Sequence, residues 1–331
     1  SYRRDGSSVF GKDCRWGAFP SVAAGWTFSE EDFVRDNFGW LSFGKLRASW
    51  GKSGKQFKDA YLALGLMSLG ERPEYGNSVL EPNLVGGLYN NDLSWEETDQ
   101  YDFGLDLDLF NCRLGITLDY YYRYTDKLLF RVPLVGDYNG YYHQWRNAGA
   151  ISNEGLELLV KFEILRNSDF YWKVSVNGAR NWNRIEKSET GKDLNTQLVV
   201  GKPLNRIWGY LTQGFINQQE DVPTMFSSGG ENCYLYPDYS KSNFYTVGDY
   251  KFVDVNGDGR IDYADPVALE SALPIANGGI VNEFVWKNFD LNLVMHYSIG
   301  RHMVNQLGIN SLIFVTDPSN KYYDHPLLLD F

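Results

Sequence analysis

The stretch TDQYDFGLDLDLF, residues 98–110, alternates between apolar and polar side chains. Every second residue from Tyr101 to Leu109 is aromatic or aliphatic, and the residues between them are Asp or Gly. Because successive side chains of a strand point to opposite faces, this pattern predicts a strand with one apolar and one charged face. A short turn, residues 111–113, leads into LGITLDYYYRYT, 114–125, which alternates in the same way. The two segments are therefore predicted to form a hairpin.

The same alternation recurs along the chain. A second predicted hairpin consists of residues 155–165 and 169–182, which flank a polar turn. A third lies within residues 278–300, with its turn at Lys287 and Asn288. Residues 19–28 and 45–54 are predicted to form a further pair of strands. The predicted strands have about ten residues, whereas strands of soluble domains usually have about five or six. At the other end the connections are long, namely 55–94, 126–148, 184–210 and 216–250. Short turns at one end and long loops at the other are typical of an outer-membrane barrel. A large soluble β-sandwich or propeller is the alternative.

The composition of the chain argues against some classes of protein function. The net charge is -11 and the chain has no block of Lys or Arg, so we predict no nucleic-acid partner. No apolar run reaches about 18 residues, which excludes a transmembrane helix. A mean hydropathy of -0.38 agrees with a membrane barrel, whose strands alternate, as well as with a soluble protein. The cysteines, Cys14, Cys112 and Cys233, show no metal or redox spacing, and their pairing stays open.

Several phrases together resemble the SusC/RagA-type TonB-dependent transporters, and they occur in the family's order. They are RRDGSSVFGKDCRWGAFPSVAAGW (3–26), LRASWGKSGKQ (46–56), LSWEETDQYDFGLDLDLFNCRLGITLDYYYRYTDKLL (93–129), NAGAISNEGLELLV (147–160), GDYKFVDVNGDGRID (248–262) and NGGIVNEFVWKNFDLNLVMHYSIG (277–300). The resemblance implies an all-β fold, an antiparallel transmembrane β-barrel of about 22 strands with long extracellular loops and short periplasmic turns. It also implies the outer membrane of a Gram-negative, Bacteroidetes-type bacterium.

The resemblance further implies TonB-dependent uptake of nutrient oligosaccharides or, in some cases, peptides. A SusD-like surface lipoprotein would be the extracellular partner, TonB would act through a segment near a plug domain, and membrane lipid would contact the apolar strand faces. Residues 1–331 are interpreted as one partial β-barrel domain with on the order of ten strands. The plug and the last strands are expected to lie outside this domain.

The phrase DVNGDGRID, 254–262, lies in an EF-hand-like loop, residues 248–266. It fits the calcium-loop pattern D-x-[DN]-x-[DN]-G, in which oxygen ligands alternate along the chain. The predicted ligands are the side chains of Asp254, Asn256, Asp258, Asp262 and Asp265 and the carbonyl of Arg260. One structural calcium ion is therefore the predicted cofactor. The loop is single and its flank is extended, which argues against a calcium sensor; a metal-free Asn-Gly turn is the alternative.

Loop-like aromatic residues are the candidates for cargo contact. Tyr141, Tyr142 and Trp145 belong to YNGYYHQW, 138–145, where flat rings stand beside amide and hydroxyl groups that suit sugars. Packing of the loops on one another is the alternative. We predict no enzyme: the four histidines are scattered, and Glu96 and Glu97 would point to opposite faces of a strand. The alternative function is a secreted or surface all-β glycan-binding module with a structural calcium site.

Overall fold

The computed structural model describes residues 1–58, 63, 88–134, 143–189, 192–193, 198–222, 224–226, 232–234, 236–237, 245, 247–258, 260–261 and 264–305. The chain divides into two compact units. The first unit comprises Ser1–Leu204 and Ile275–Ile299, and the second comprises Asn205–Pro274 and Gly300–Phe331.

The first unit is built on one nine-stranded antiparallel sheet. In chain order its strands are β1 (Tyr2–Gly6), β2 (Trp16–Trp26), β3 (Leu41–Lys55), β4 (Glu96–Leu109), β5 (Leu114–Pro133), β6 (His143–Arg166) and β7 (Phe170–Lys187). The short strands β8 (Lys192–Asp193) and β9 (Leu198–Val199) pair with each other.

Eight short strands follow in the second unit. They are β10 (Arg206–Gly209), β11 (Thr212–Phe215), β12 (Thr224–Phe226), β13 (Asn232–Tyr234), β14 (Tyr236–Pro237), β15 (Tyr250–Phe252), β16 (Arg260–Ile261) and β17 (Val267–Ser271). The chain then returns to the large sheet with β18 (Ala276–Trp286) and β19 (Phe289–Ile299), so that the sheet order is β1-β2-β3-β4-β5-β6-β7-β18-β19.

Helical structure is slight in the part of the chain that is described. Between β2 and β3 lie a 3-10 turn, Phe28–Glu30, and the single-turn helix α1, Asp32–Arg35. A second 3-10 turn, Gln219–Asp221, belongs to the second unit. No helix among these residues is long and apolar enough to cross a membrane.

The predicted hairpins are confirmed. β4 pairs with β5 from Leu109 opposite Leu114 to Glu97 opposite Asp126, β6 pairs with β7, and β18 pairs with β19. The β4–β5 turn is tight because Phe110, Asn111 and Cys112 adopt φ angles of 56°, 57° and 62°, in the left-handed region. The predicted pairing of residues 19–28 with residues 45–54 is also confirmed, as β2 with β3.

β5 and β6 are longer than the sequence pattern predicts. Much of the predicted 126–148 connection is strand, because β5 continues to Pro133 and β6 begins at His143. The register shifts between Thr125 and Leu128, and Lys127 has a φ of 56°. Such a bulge inserts an extra residue and interrupts the alternation of side chains. A prediction based on strict alternation therefore ends the strand too early.

Cross-strand register gives the large sheet two different faces. Leu46, Leu105, Leu118 and Leu158 lie side by side in one row across β3 to β6. We call this side the apolar face and the opposite side the polar face. Phe103, Leu158 and Leu291 on the apolar face are 54%, 42% and 53% exposed. A continuous apolar surface of this kind marks a site of contact with another apolar phase or partner.

Each unit also has a small buried cluster. In the first unit Phe10, Phe19 and Trp95 pack together, and the Trp95 Nε1–H donates to the carbonyl oxygen of Arg15 at 3.1 Å. In the second unit the cluster consists of Ile216, Val222, Tyr245 and Ile261, with Phe252 packed against it. These clusters fix connecting segments that the sheet itself does not hold.

Gly278 provides a test of the sheet packing. Tyr297 crosses over Gly278 and donates its hydroxyl to the Asn177 carbonyl at 3.0 Å. A Cβ at Gly278 would clash with that carbonyl oxygen and lie 2.5 Å from the Tyr297 hydroxyl. We therefore expect Gly278→Ala to lower the free energy of unfolding by about 1–3 kcal/mol in urea titrations of the detergent-solubilised protein. Gly39→Ala is the control, since no heavy atom lies within 4 Å of its added Cβ; equal stability of the two variants would contradict the prediction.

Candidate functional site

A clamp of charged side chains crosses three strands on the polar face. The Arg47 guanidinium on β3 donates from Nε to Asp106 Oδ2 at 2.7 Å on β4, and from Nη2 to Asp119 Oδ1 at 2.8 Å on β5. Gly104 lies under this clamp, and a Cβ there would be 2.5 Å from Arg47 Cζ. The missing side chain at Gly104 therefore lets the guanidinium lie flat over β4 and reach two carboxylates, a geometry that suits the planar arginine fork.

A shallow depression of about 340 Å³ adjoins this clamp. Its lining includes Lys45, Arg47, Ser49, Asp102 and Asp119. The Ser49 hydroxyl donates to Asp102 Oδ2 at 3.1 Å. Most of the polar side chains that line the depression are therefore already hydrogen-bonded or ion-paired with one another. Lys45 forms no ion pair with a residue that the structure describes. The surface thus combines fixed carboxylates with one unpaired ammonium group, which suits transient hydrogen bonding to a polar solute.

A second cross-strand contact repeats this arrangement farther along the polar face. The Tyr121 hydroxyl on β5 donates to Asn181 Oδ1 on β7 at 2.6 Å. It passes over Gly155 of β6, where a Cβ would lie 2.5 Å from the Tyr121 ring. Asn153 and Asn183 are paired directly opposite each other nearby. Here the polar face therefore carries several amides beside the charged residues Arg123 and Glu157.

Ion pairs replace apolar side chains at the long-loop end of the apolar face. Lys52 Nζ lies 3.1 Å from Glu97 Oε2, Lys127 Nζ lies 2.5 Å from Glu97 Oε1, and Lys187 Nζ lies 3.6 Å from Asp126 Oδ2. Glu96 has other partners: its Oε1 accepts from the Leu129 backbone N–H at 3.0 Å. The two adjacent glutamates therefore serve different contacts, as their alternation in a strand predicts.

Trp145 is the one predicted cargo residue that the structure describes; Tyr141 and Tyr142 lie outside the described residues. Trp145 is half-buried near the start of β6, and its carbonyl accepts from Asn90 Nδ2 at 2.8 Å. The adjacent Gln144 side chain donates to the Tyr89 carbonyl at 3.0 Å, and the Tyr89 side chain is 56% exposed. Tyr89 is thus an aromatic neighbour that sequence reasoning missed, because 88–90 is brought to β6 only by tertiary hydrogen bonds.

The EF-hand-like loop is closed by its own side chains. Asp254 Oδ1 accepts from the Gly257 N–H at 2.6 Å, and Asp265 Oδ1 accepts from the Val255 N–H at 2.9 Å. Asp265 is fully buried, whereas Asn256 and Asp258 are exposed. Asp262 lies outside the described residues, and Arg260 is described only as part of β16. Among the described residues, no three His, Cys, Asp or Glu side chains are grouped closely enough to hold a metal.

Aromatic rings cluster in the second unit around β11 and β15. The Phe215 and Tyr250 rings lie 4.5 Å apart between centroids, and both are about half exposed. Tyr245 instead belongs to the buried cluster, where burial raises the pKa of its hydroxyl and the Asp249 carboxylate raises it further. The exposed pair is a flat apolar surface, and the buried tyrosine keeps its neutral form at physiological pH.

The two-faced sheet and its sequence match a known family over most of the chain. The sequence model described as "TonB dependent receptor-like, beta-barrel" matches residues 1–269. The chain belongs to this family. It is 31% identical over 308 residues to TonB-dependent receptor P3 of Formosa agariphila, covering 92% of this chain and 30% of P3. It is also 31% identical over 308 residues to TonB-dependent receptor SusC of Bacteroides thetaiotaomicron, covering 91% of this chain and 29% of SusC.

A solved structure agrees with the family assignment. The fold matches the RagAB peptide transporter with a TM-score of 0.67 and 25% identity, over 92% of this chain and 32% of that chain. The chain thus spans less than a third of the length of these relatives. The family consists of receptors, which agrees with the prediction of a non-enzymatic function.

Family membership assigns the two faces and the two ends of the sheet. The chain is part of an antiparallel transmembrane β-barrel of the Gram-negative outer membrane, with short periplasmic turns and long extracellular loops. The apolar face contacts lipid and the polar face lines the lumen. On β4 the apolar positions run from Tyr101 to Leu109, about 27 Å along a strand whose tilt of about 40° gives a rise of about 21 Å, which fits within a lipid band about 25 Å tall. The soluble sandwich and propeller interpretations are therefore wrong.

The Arg47 clamp gives a prediction for the lumen wall. Arg47→Met removes the cation between Asp106 and Asp119 and leaves two half-buried carboxylates on neighbouring strands without it. We expect a loss of about 1–3 kcal/mol in the free energy of unfolding, partly recovered by a second change, Asp119→Asn. Lys45→Met is the matched control, because it removes a cation from the same face without breaking an ion pair between described residues. Urea titration in detergent compares these three variants with the wild-type protein, and an equal loss for Lys45→Met would contradict the clamp.

Proposed function

We propose that the whole protein is the SusC-like barrel of a SusC/SusD-type complex that imports nutrient oligosaccharides or peptides in a TonB-dependent manner. The observation that carries this proposal is the two-faced sheet: lipid-facing Leu and Phe on one side and a fixed polar wall on the other. A polar wall is what a hydrophilic solute needs in order to pass through the lipid band. The likeness to SusC and to the RagAB peptide transporter supports the same conclusion.

The lumen wall favours a polar oligomer as the cargo. The Arg47 clamp pairs one guanidinium with two carboxylates, and the neighbouring surface presents amides such as Asn153 and Asn181. Amides donate and accept hydrogen bonds with hydroxyl groups and with peptide groups alike. The exposed ring of Tyr89 in the same unit adds a flat surface of the kind that sugar rings and apolar side chains contact. These features support both cargo classes, oligosaccharide and peptide.

Two protein partners complete the proposal. A SusD-like lipoprotein would cover the extracellular side, and TonB would supply energy from the inner membrane. In the alternative, a secreted glycan-binding module, the exposed apolar face of the sheet would lie in water, which is unfavourable. This argues against the alternative. A SusD-like gene beside the coding sequence, or co-purification of such a lipoprotein with the intact protein, would support the partnership.

Uptake by living cells tests the transport function. We expect deletion of the complete gene to abolish uptake of one labelled oligomer class, supplied as oligosaccharide or peptide mixtures and followed by mass spectrometry of the medium. A strain without functional TonB should show the same loss, and the wild-type gene should restore uptake. Unchanged depletion of both mixtures in the deletion strain would overturn the proposal, as would loss of uptake in the deletion strain only.

We also propose that one calcium ion binds the EF-hand-like loop and stabilises it. The support is the spacing of Asp254, Asn256 and Asp258 together with the buried Asp265, which already draws the two ends of the loop together. Calcium at a hundredfold excess over its dissociation constant adds about 2.7 kcal/mol to a folded state that alone binds it. The ion would have a structural role in this loop.

Thermal unfolding of the intact protein in detergent tests the calcium site. We expect added calcium to raise the melting temperature relative to a chelator, and Asp258→Ala to remove this difference. Asp13→Ala is the control, since Asp13 is an exposed acidic residue far from the loop in sequence. Identical melting curves of the wild-type protein with calcium and with chelator would refute the site.

A further inference from the structure

Arg180 is a charged residue on the lipid-facing side of β7. Along this strand Val176 lies between Val160 of β6 and Ile280 of β18, in a row of apolar residues on the lipid face. Gly178 and Arg180 are the next two residues on the same face, and Arg180 is paired opposite Leu156. Arg180 is exposed. An arginine that points toward lipid is costly unless its guanidinium reaches a polar layer.

The length of β7 places Arg180 at the outer edge of the lipid band. The strand begins at the periplasmic turn with Phe170. Ten residues at about 3.4 Å each, in a strand tilted by about 40°, rise by about 26 Å, which is the height of the apolar band. Arg180 therefore lies at the level of the outer-leaflet headgroups. Trp182, the next residue on this face, belongs to the aromatic girdle of that interface.

The contacts of Arg180 differ from those of the other cations at this rim. Arg180 Cζ stands 4.8 Å from the centre of the Trp182 ring, which is 39% exposed. Lys52, Lys127 and Lys187 each pair with a carboxylate. Arg180 forms no ion pair with any residue in the described part of the chain. Stacking on an indole orients a guanidinium and leaves its N–H groups free to bind an anion.

One nearby carboxylate bears on this site. Glu154 of β6 is paired opposite Trp182 and lies on the same face. Its Oε2 accepts the Tyr120 hydroxyl at 3.0 Å, so it already has a hydrogen-bond donor. Its negative charge nevertheless repels a second anion, and its removal should favour anion binding at Arg180.

We propose that Arg180 and Trp182 hold a phosphate group of an outer-leaflet lipid, with the acyl chains of that lipid lying over β6 and β7. Beside Arg180 the lipid face offers Leu156, and below it Leu158 and Val176; these side chains are 42%, 42% and 37% exposed. An amphiphile with a phosphate above and hydrocarbon below matches this order of cation, indole and aliphatic surface. The site is independent of cargo and of the proposed transport function.

Lipid binding to the intact, detergent-solubilised protein tests the site without cargo. The probe is purified diphosphoryl lipid A, compared with the same lipid after removal of its phosphates, and native mass spectrometry counts the bound molecules. We expect the wild-type protein to retain the phosphorylated lipid about tenfold better than Arg180→Gln. Arg180→Lys should retain it in part, because it keeps the charge but loses the planar stack. Glu154→Gln should retain more than the wild-type protein.

Lys187→Gln is the matched control, since it removes a paired cation from the same rim. All variants are first checked for folding by their heat-dependent migration in detergent gels. Equal retention by Arg180→Gln and the wild-type protein would overturn the proposal. Equal losses in Arg180→Gln and Lys187→Gln, or equal binding of the dephosphorylated lipid, would overturn it too, since these results indicate a general effect of charge or of hydrocarbon.

Discussion

Backbone hydrogen bonds between neighbouring strands are the constraint on which the rest of this structure depends. Lipid offers no partner for a free N–H or C=O, so every membrane-crossing strand must be paired along its whole depth. Pairing fixes the register, and the register decides which side chains face lipid. A slip of β5 by one residue against β4 would turn Leu118 toward the lumen and Asp119 toward lipid. The strict alternation of residues 98–125 is the sequence counterpart of this constraint.

On the polar face, side-chain contacts that span two strands hold polar and charged groups in fixed positions. Arg47 and Tyr121 each reach past a neighbouring strand to the strand beyond it, and each passes over a glycine, Gly104 or Gly155. These contacts join strands that share no backbone hydrogen bonds. They therefore resist shear between alternate strands, and in the Arg47 contact they pair a cation of the lumen wall with two carboxylates.

Sequence reasoning succeeded where one strand alone carries the signal. The β4–β5 hairpin is visible because apolar and polar residues alternate without a break from Tyr101 to Leu109. It failed at Lys127, where a bulge breaks the period although the strand continues. The role of Gly104 could not be predicted, because it depends on Arg47 and Asp119 from two other strands. Tyr89 was missed for the same reason, since only hydrogen bonds to β6 bring it beside Trp145.

The second unit is stabilised by a small buried core of its own. Its small cluster of Ile216, Val222, Tyr245 and Ile261 excludes water without help from a membrane. The neighbouring EF-hand-like loop is tied down by Asp265, a buried carboxylate that accepts a backbone N–H ten residues earlier in the chain. A loop with this closure already has its ends together before any ion binds. Metal binding would therefore add stability to a formed loop and would not switch the loop between two folds, which agrees with a single loop that has an extended flank.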